Sequence, residues 1–167
     1  MTDLLSLVVT ITVKEDTLLP AYAGRSIYAL LMRWIDAHST ELEKRWHDAD
    51  GIKPYTCSNL VGLHRHSQEQ HILKAGGTAW FRITALNSDV VEVLLARTAY
   101  PPKSIDIDGK ILEVVSMTAD ATQHAWAGTT TYQALSAGYL LAQANPPRRF
   151  SLELVSPTTF KQNNLTQ

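Results

Sequence analysis

Two side chains near the middle of the sequence, His47 and Lys53, could carry out chemistry on a phosphodiester. An imidazole can accept or donate a proton near neutral pH, and a fixed ammonium can stabilise negative charge that develops on an oxygen. In-line cleavage of RNA needs those functions: a base for the 2′-hydroxyl, an acid for the leaving 5′-oxygen and positive charge beside the phosphorus. A structural alternative stays open, in which His47 only stabilises a helix end by about 0.3–1 kcal/mol and Lys53 is a solvated loop residue.

The elements that would position this pair follow from hydrophobic periodicity. Period-two alternation predicts strands over residues 4–14, 55–63, 78–85 and 111–117, and a hairpin over 105–111. Helical periodicity begins at Arg25 and again at Thr40, where Glu43 completes a capping box. A third helix is predicted over 87–98, starting from an Asn-Ser-Asp cluster. The order β-α-β-β-α-β predicts an α+β, ferredoxin-like (split βαβ, RRM-like) sandwich.

The C-terminal part of the sequence predicts additional pieces. A further helix is expected over 131–143, and residues 145–149 form a stiff basic linker. Residues 150–155 look like a strand without partners downstream. We therefore expect a ferredoxin-like domain over 1–144, the linker 145–149, and the start of an incomplete second ferredoxin-like domain over 150–167. The edge of the strand at 150–155 could pair with a second copy of the chain to form a homodimer.

Composition limits the classes of function. The 167 residues carry 15 Lys and Arg against 16 Asp and Glu, a net charge of −1 that argues slightly against a nucleic-acid partner. The single cysteine, Cys57, excludes an internal disulfide and is expected to be a small buried residue rather than a nucleophile. The N-terminus lacks the features of a signal peptide, and no stretch is long enough for a membrane span. These features predict a soluble cytoplasmic protein.

Several segments together resemble a known family. They are Leu19-Pro20 before the long helix, the run from His47 to Ser58, the segment 130–135, and the strand at 150–155 followed by Ser-Pro-Thr-Thr-Phe. In this order they resemble the CRISPR-associated repeat-RNA endoribonucleases of the RAMP superfamily. The resemblance implies two tandem ferredoxin-like domains and metal-independent cleavage of CRISPR repeat RNA without a cofactor. The 2′-hydroxyl would attack the neighbouring phosphate and leave a 2′,3′-cyclic phosphate and a 5′-hydroxyl end.

The resemblance also implies roles for particular residues. His47 would be the catalytic histidine and Lys53 the catalytic lysine. Relatives often have a catalytic tyrosine on the long helix, where this sequence has Met32, and Tyr28 one turn earlier is the candidate substitute. The family's glycine-rich RNA-binding loop has no counterpart after Thr159. The partners implied are CRISPR repeat RNA and the proteins of a CRISPR effector complex, with no membrane partner.

Other residues could bind RNA. Trp80 and Arg82 share one side of their predicted strand, where a ring can stack on bases and a guanidinium can contact phosphate. In the alternative, the first helix or the helix at 131–143 covers Trp80. Arg148 and Arg149 could contact the RNA backbone or be solvated linker residues. His64 and His66 would share a strand face that zinc could use, but a metal site is the less favoured interpretation.

Two further classes of function remain open at this point. The first is a non-catalytic RNA-binding or scaffold subunit of a CRISPR ribonucleoprotein, which Met32 at the tyrosine position favours. The second is a ferredoxin-like protein-interaction domain without RNA, which agrees with the near-neutral net charge.

Overall fold

The computed structural model describes residues 2–48, 53–140, 149, 151, 161–162 and 165–166, without the side chains of 46–48, 161–162 and 165–166. Within these residues the elements are β1 (Leu4–Thr12), β2 (Thr17–Pro20), α1 (Gly24–His38), α2 (Thr40–Asp48), β3 (Tyr55–Cys57), β4 (His64–Arg65), β5 (Gln70–Leu73), β6 (Thr78–Ala85), α3 (Ser88–Ala99), β7 (Ser104–Ile107), β8 (Lys110–Thr118), β9 (Gly128–Thr130), α4 (Tyr132–Tyr139), β10 (Lys161–Gln162) and β11 (Leu165–Thr166).

The described part of the chain forms one main antiparallel sheet with the order β3-β6-β1-β8-β7. β9 continues the sheet by pairing with the first residues of β1. The unit β1-α1-β3 has β6 between its two strands, and the unit β6-α3-β8 has β1 between its two strands. Two interleaved split βαβ units of this kind define the ferredoxin-like sandwich. The fold class expected from the sequence is therefore confirmed.

The core lies between this sheet and the helices α1 and α3. Alternate residues of the two central strands point toward the helices and are almost fully buried, among them Leu7, Ile11, Phe81 and Ile83. Their neighbours in sequence point to the opposite side, which we call the open face of the sheet. This alternation fixes which polar and aromatic side chains remain available for binding.

Helix starts show how local chemistry sets the boundaries. Asn87 caps α3, because its side-chain oxygen accepts a hydrogen bond from the N–H of Val90 at 3.1 Å. For α2 the predicted capping box at Thr40 is displaced by one residue. The Ser39 hydroxyl accepts the Leu42 N–H at 3.3 Å, and Thr40 is the first helical residue.

The segment after β3 differs from the prediction of a strand over 55–63. Pairing with β6 ends at Cys57, and beyond it Val61 makes one isolated bridge to Trp80. Two residues explain the early end. Asn59 turns toward the segment before α1 and binds its backbone, and Gly62 adopts a φ of +96°, which interrupts an extended strand.

The polar segment expected to be a loop is partly ordered as strands. β4 and β5 form an antiparallel pair, and β5 also pairs with β2 to make a three-stranded sheet. β9 was not predicted either. α4 occupies 132–139 of the helix expected over 131–143, and residues 141–143 lie outside the described residues.

The predicted linker and second domain lie mostly outside the described residues, including the strand expected over 150–155. Near the C-terminus, β10 and β11 pair with each other. None of the helices described is both long and apolar enough to cross a membrane.

Candidate functional site

His47 and Lys53 lie at the two ends of a connection between α2 and β3. His47 is the penultimate residue of α2; its side chain is outside the description, as are residues 49–52. Lys53 is partly buried and directly precedes Pro54 and β3. The capped start of α3 contacts residues near both ends of this connection, and these contacts show where the two ends lie.

The junction between β6 and α3 meets both ends of this connection. Arg45 of α2 forms an ion pair with Asp89 in the first turn of α3, with 3.0 Å between Nη2 and Oδ2. On the other side, the Leu86 N–H donates to the Pro54 carbonyl at 2.8 Å. His47 follows Arg45 by two residues and Lys53 precedes Pro54 by one. The chain thus leaves α2 and enters β3 beside the same junction.

Tyr28 of α1 packs against β3. Its ring centroid lies 6.0 Å from that of Tyr55, with an angle of 35° between the ring planes. Tyr55 is buried, and its hydroxyl points toward the Met32 sulfur at 4.0 Å. Burial raises the pKa of Tyr55, and the neighbouring Tyr28 hydroxyl raises it further. Tyr55 therefore stays protonated at neutral pH, and Tyr28 is the tyrosine of this pair with the more exposed side chain.

Cys57 follows on the same strand. Burial raises the pKa of its thiol to about 12, which keeps it protonated at neutral pH. A protonated thiol is a poor nucleophile, and Cys57 also packs against the core. Cys57 is thus partly buried against the core rather than fully buried, and it is not placed as a nucleophile.

The open face of the sheet carries an aromatic cluster of Trp80, Arg82, His124 and Trp126. The Trp80 ring lies edge-on to His124 at 4.8 Å and tilted against Trp126 at 6.2 Å between centroids. The guanidinium carbon of Arg82 lies 4.8 Å from the centroid of Trp126, a cation–π geometry. Trp80 and Arg82 thus share one side of β6, as the strand alternation predicted.

The loop between β8 and β9 covers Trp80. The sequence-based alternative was that α1 or the additional helix would cover it. The Trp126 N–H donates to Nδ1 of His124 at 3.1 Å, and the Ser6 hydroxyl donates to the Trp126 carbonyl. The bond from Ser6 of β1 holds the loop on the sheet, and the bond between Trp126 and His124 lies within the loop. Trp126 is 45% exposed, so it presents the solvent-facing aromatic surface of the cluster. The sequence signal for Trp126 was a lone tryptophan in a loop of small and polar residues.

Two groups of predicted residues remain, the linker arginines and the histidines of the candidate metal site. Arg149 is exposed, and Arg148 lies outside the described residues. His64 lies on β4, but this strand ends at Arg65, so His66 lies beyond it and the shared strand face expected for the two histidines is not formed. His71 of β5 lies opposite Arg65. Among the residues described, no group of three His, Cys, Asp or Glu side chains is placed to hold a metal ion.

The sheet order, the two covering helices and the connection after α2 define a ferredoxin-like domain. Residues 4–137 match the family model described as CRISPR Cas6 N-terminal domain, which covers most of the chain. The chain therefore belongs to this family and corresponds to the N-terminal part of a Cas6-type protein.

Solved structures show the same fold. The chain is similar to a Cas6 (TTHA0078) product complex, with 23% identity, a TM-score of 0.60, and coverage of 98% of this chain and 56% of that one. For a Cas6 (TTHB231) product complex the identity is 23%, the TM-score 0.57, and the coverage 81% and 47%. For a Cas6 (TTHA0078) substrate mimic complex the identity is 21% and the TM-score 0.55, with coverage of 99% of this chain and 55% of that one. The chain spans about half the length of these structures. No curated protein matches it.

Proposed function

We propose that this chain is the histidine-bearing N-terminal part of an endoribonuclease that cleaves CRISPR repeat RNA and so matures guide RNA. The observation that carries the proposal is the family match over residues 4–137, which includes both His47 and Lys53. The product and substrate-mimic complexes of similar Cas6 structures support RNA as the ligand class. The proposed reaction needs no metal ion.

The proposed chemistry is a transesterification. The 2′-oxygen forms a bond to the adjacent phosphorus while the bond from phosphorus to the 5′-oxygen breaks. The 2′-hydroxyl loses its proton to a base and the 5′-oxygen gains one from an acid, leaving a 2′,3′-cyclic phosphate and a 5′-hydroxyl. His47 performs one of these transfers, which is worth about a hundred- to ten-thousandfold in rate. Lys53 stabilises the additional negative charge on the phosphate oxygens.

Tyr28 is the third catalytic group of the proposal. Its ring lies against Tyr55 at the edge of the core. Replacing Tyr28 with Phe removes only the hydroxyl and keeps this ring packing, so it tests a chemical role without opening a cavity. A loss of cleavage with unchanged thermal stability supports the role.

The proposed RNA contacts on the open face are Trp80 and Arg82, with Trp126 as the exposed ring that completes the cluster. Arg148 and Arg149 would contact the RNA backbone from the linker. We further propose that residues 1–144, 145–149 and 150–167 are a ferredoxin-like domain, a linker and the start of a second such domain. The proposed setting is cytoplasmic, with CRISPR effector proteins or a second copy of the chain as protein partners.

The experiment compares cleavage of labelled CRISPR repeat RNA in excess EDTA by the wild type and single variants. The chain is assayed as it stands and also extended by the proposed second domain. We expect cleavage in EDTA, and a loss of at least a hundredfold for His47→Ala and for Lys53→Ala. His64→Ala and Lys103→Ala, which replace exposed residues outside the α2–β3 connection, are the matched controls and should leave the rate unchanged.

The outcomes separate the three classes of function. RNA binding without cleavage by the wild type contradicts the nuclease proposal and favours the non-catalytic scaffold. If neither the chain as it stands nor the extended chain binds RNA, the remaining class of function is a protein-interaction domain. Cleavage that EDTA abolishes contradicts the metal-independent chemistry.

A further inference from the structure

Tyr22, just before α1, is an exposed aromatic residue on a rigidly held backbone. Its side chain is 68% exposed. The residues on both sides of it are clamped by one amide, because Asn59 donates to the Ala21 carbonyl and accepts from the Ala23 N–H, each at 2.7 Å. The Ala21 N–H also donates to the Glu69 carbonyl at 2.9 Å. The fold therefore fixes the base of a ring that it does not bury.

Two open clefts meet at this ring. One has a volume of about 790 Å³ and extends to Arg25 and to Asp108 in the β7–β8 turn. The other, of about 570 Å³, extends over the three-stranded sheet to Arg65 and His71. Tyr22 and Asn59 line both clefts. We call this continuous feature the Tyr22 groove.

The groove is locally cationic. Arg25 and Arg65 lie on opposite sides of Tyr22 and are both exposed. His71 adds a third basic group in the second cleft. Asp108 is the one carboxylate among the residues described as lining the two clefts. The first cleft therefore carries one cation and one anion, Arg25 and Asp108, whereas the second carries Arg65 with no carboxylate among its described lining residues. The excess of positive charge lies in the second cleft, although the whole chain has a net charge of −1.

An exposed ring with a guanidinium on each side matches the chemistry of a single-stranded nucleic acid. Bases stack on aromatic faces, and the phosphates on either side of a base contact arginines. A duplex hides its bases and cannot use the ring. A ring on a fixed backbone also loses less conformational entropy on binding than one on a free loop.

We propose that the Tyr22 groove binds a single-stranded segment of RNA, with one base stacked on Tyr22 and its flanking phosphates on Arg25 and Arg65. Asn59 is a positioning residue, because it acts only through the backbone that carries Tyr22. The inference rests on the proposed function for the identification of RNA as the ligand, and it adds a contact that lies apart from the α2–β3 connection with its His47 and Lys53.

The separation follows from α1. The groove lies at the first turn of α1, whose 15 residues span about 22 Å. Lys53 lies toward the other end, where β3 begins and where Leu86 bonds to Pro54. A ligand in the groove therefore contributes to RNA affinity and register and lies away from the charge stabilisation proposed for Lys53.

The experiment measures binding of a 5′-labelled eight-uridine RNA to the full chain by fluorescence anisotropy. Tyr22→Leu should weaken binding about five- to 150-fold, the range for loss of one base–aromatic stack. Tyr22→Phe should retain wild-type affinity. Tyr100→Leu replaces another exposed tyrosine, 83% exposed and outside both clefts, and should change nothing. A duplex RNA of the same length should not compete.

Arginine variants test the phosphate contacts separately. Arg25→Gln and Arg65→Gln should each reduce the slope of log affinity against log salt concentration by about 0.7, the value for one phosphate contact to a single strand. Lys103→Gln should leave the slope unchanged. Circular dichroism and the Tm of each variant confirm that it is folded, which is expected since all the replaced side chains are exposed.

The inference is overturned if the wild type does not bind, if Tyr22→Leu and Tyr100→Leu bind with equal affinity, or if Tyr22→Phe binds as weakly as Tyr22→Leu. An unchanged salt slope in both arginine variants, or full competition by the duplex, would also overturn it. The proposed function fails by a different measurement. Repeat cleavage that depends on His47 together with a silent Tyr22→Leu rejects the groove alone. Tyr22-dependent binding without any cleavage rejects the nuclease alone.

Discussion

Replacing Asn59 with alanine should destabilise the domain more than an ordinary surface substitution. The Asn59 amide satisfies two backbone groups at once, the Ala21 carbonyl and the Ala23 N–H. Both alanines are buried, at 4% and 0% exposure. Ala23 is also the N-cap residue of α1 and lacks a side chain that could cap the helix. Without Asn59, the entry into the longest helix described loses its anchor to the β3–β4 connection.

The magnitude follows from the two hydrogen bonds. Truncation that leaves a buried backbone group unpaired costs about 1–3 kcal/mol per group. Asn59 is itself only partly buried, so water can enter the vacated space and recover part of that cost. We therefore expect Asn59→Ala to lower the free energy of unfolding by about 2–3 kcal/mol. At about 2–4 °C per kcal/mol for a chain of this size, Tm should fall by roughly 4–12 °C.

The assay is urea unfolding followed by tryptophan fluorescence, which the four tryptophans of the chain make practical. Asn87→Ala is the matched control, since it removes an asparagine that accepts a single backbone N–H and should cost about 1 kcal/mol. A loss below about 0.5 kcal/mol for Asn59→Ala, or one smaller than that of Asn87→Ala, would refute the idea that this amide anchors the start of α1.

Two further predictions concern the same region. Burial raises the pKa of the Cys57 thiol in the folded protein to about 12. The unfolded state therefore loses this proton first, and the free energy of unfolding should fall as the pH rises from about 9 toward 12, by at most about 1.4 kcal/mol per pH unit. Urea unfolding of the wild type should show this loss relative to Cys57→Ala, and parallel pH profiles of the two proteins would contradict it. Gly62→Ala would place a Cβ 3.0 Å from the Thr78 carbonyl oxygen at a φ of +96° and should cost about 1–3 kcal/mol; Gly76→Ala, also at positive φ but with open space around the Cβ, should cost less in the same assay, and equal costs would exclude the steric contribution.

The fold could be predicted from the sequence because two local signals agreed. Strand alternation in residues 4–14 and 78–85 and helical periodicity after Arg25 each selected one buried face, and those faces are the ones that pack together. The polar cap at Asn87 located the start of α3 correctly. Hydrophobic periodicity and capping residues are local features of the sequence, so they can be recognised without knowledge of the tertiary contacts.

The parts that could not be predicted depend on contacts between distant segments. β4 and β5 carry polar residues and become strands because β2, some fifty residues earlier, offers a pairing edge. Asn59 reads as a strand residue until the backbone that it clamps is known. The cover over Trp80 likewise comes from His124 and Trp126, more than forty residues later in the chain. Side-chain alternation gave the correct face for Trp80 but could not identify its neighbours.

The near-neutral charge of the chain does not conflict with RNA binding, although the sum argued slightly against it. Charges more than about 8 Å apart in physiological salt barely interact, so a phosphate responds to the side chains around it and not to the total. Part of the acidic charge is already matched by cations, as in the ion pairs of Glu113 with Lys14 and of Asp16 with Lys74. Arg25 and Arg65 stand on either side of an exposed ring with one carboxylate among the lining residues described. A chain with a net charge of −1 can therefore contact a polyanion through a few placed cationic side chains, and the salt dependence of its affinity should follow the number of those contacts.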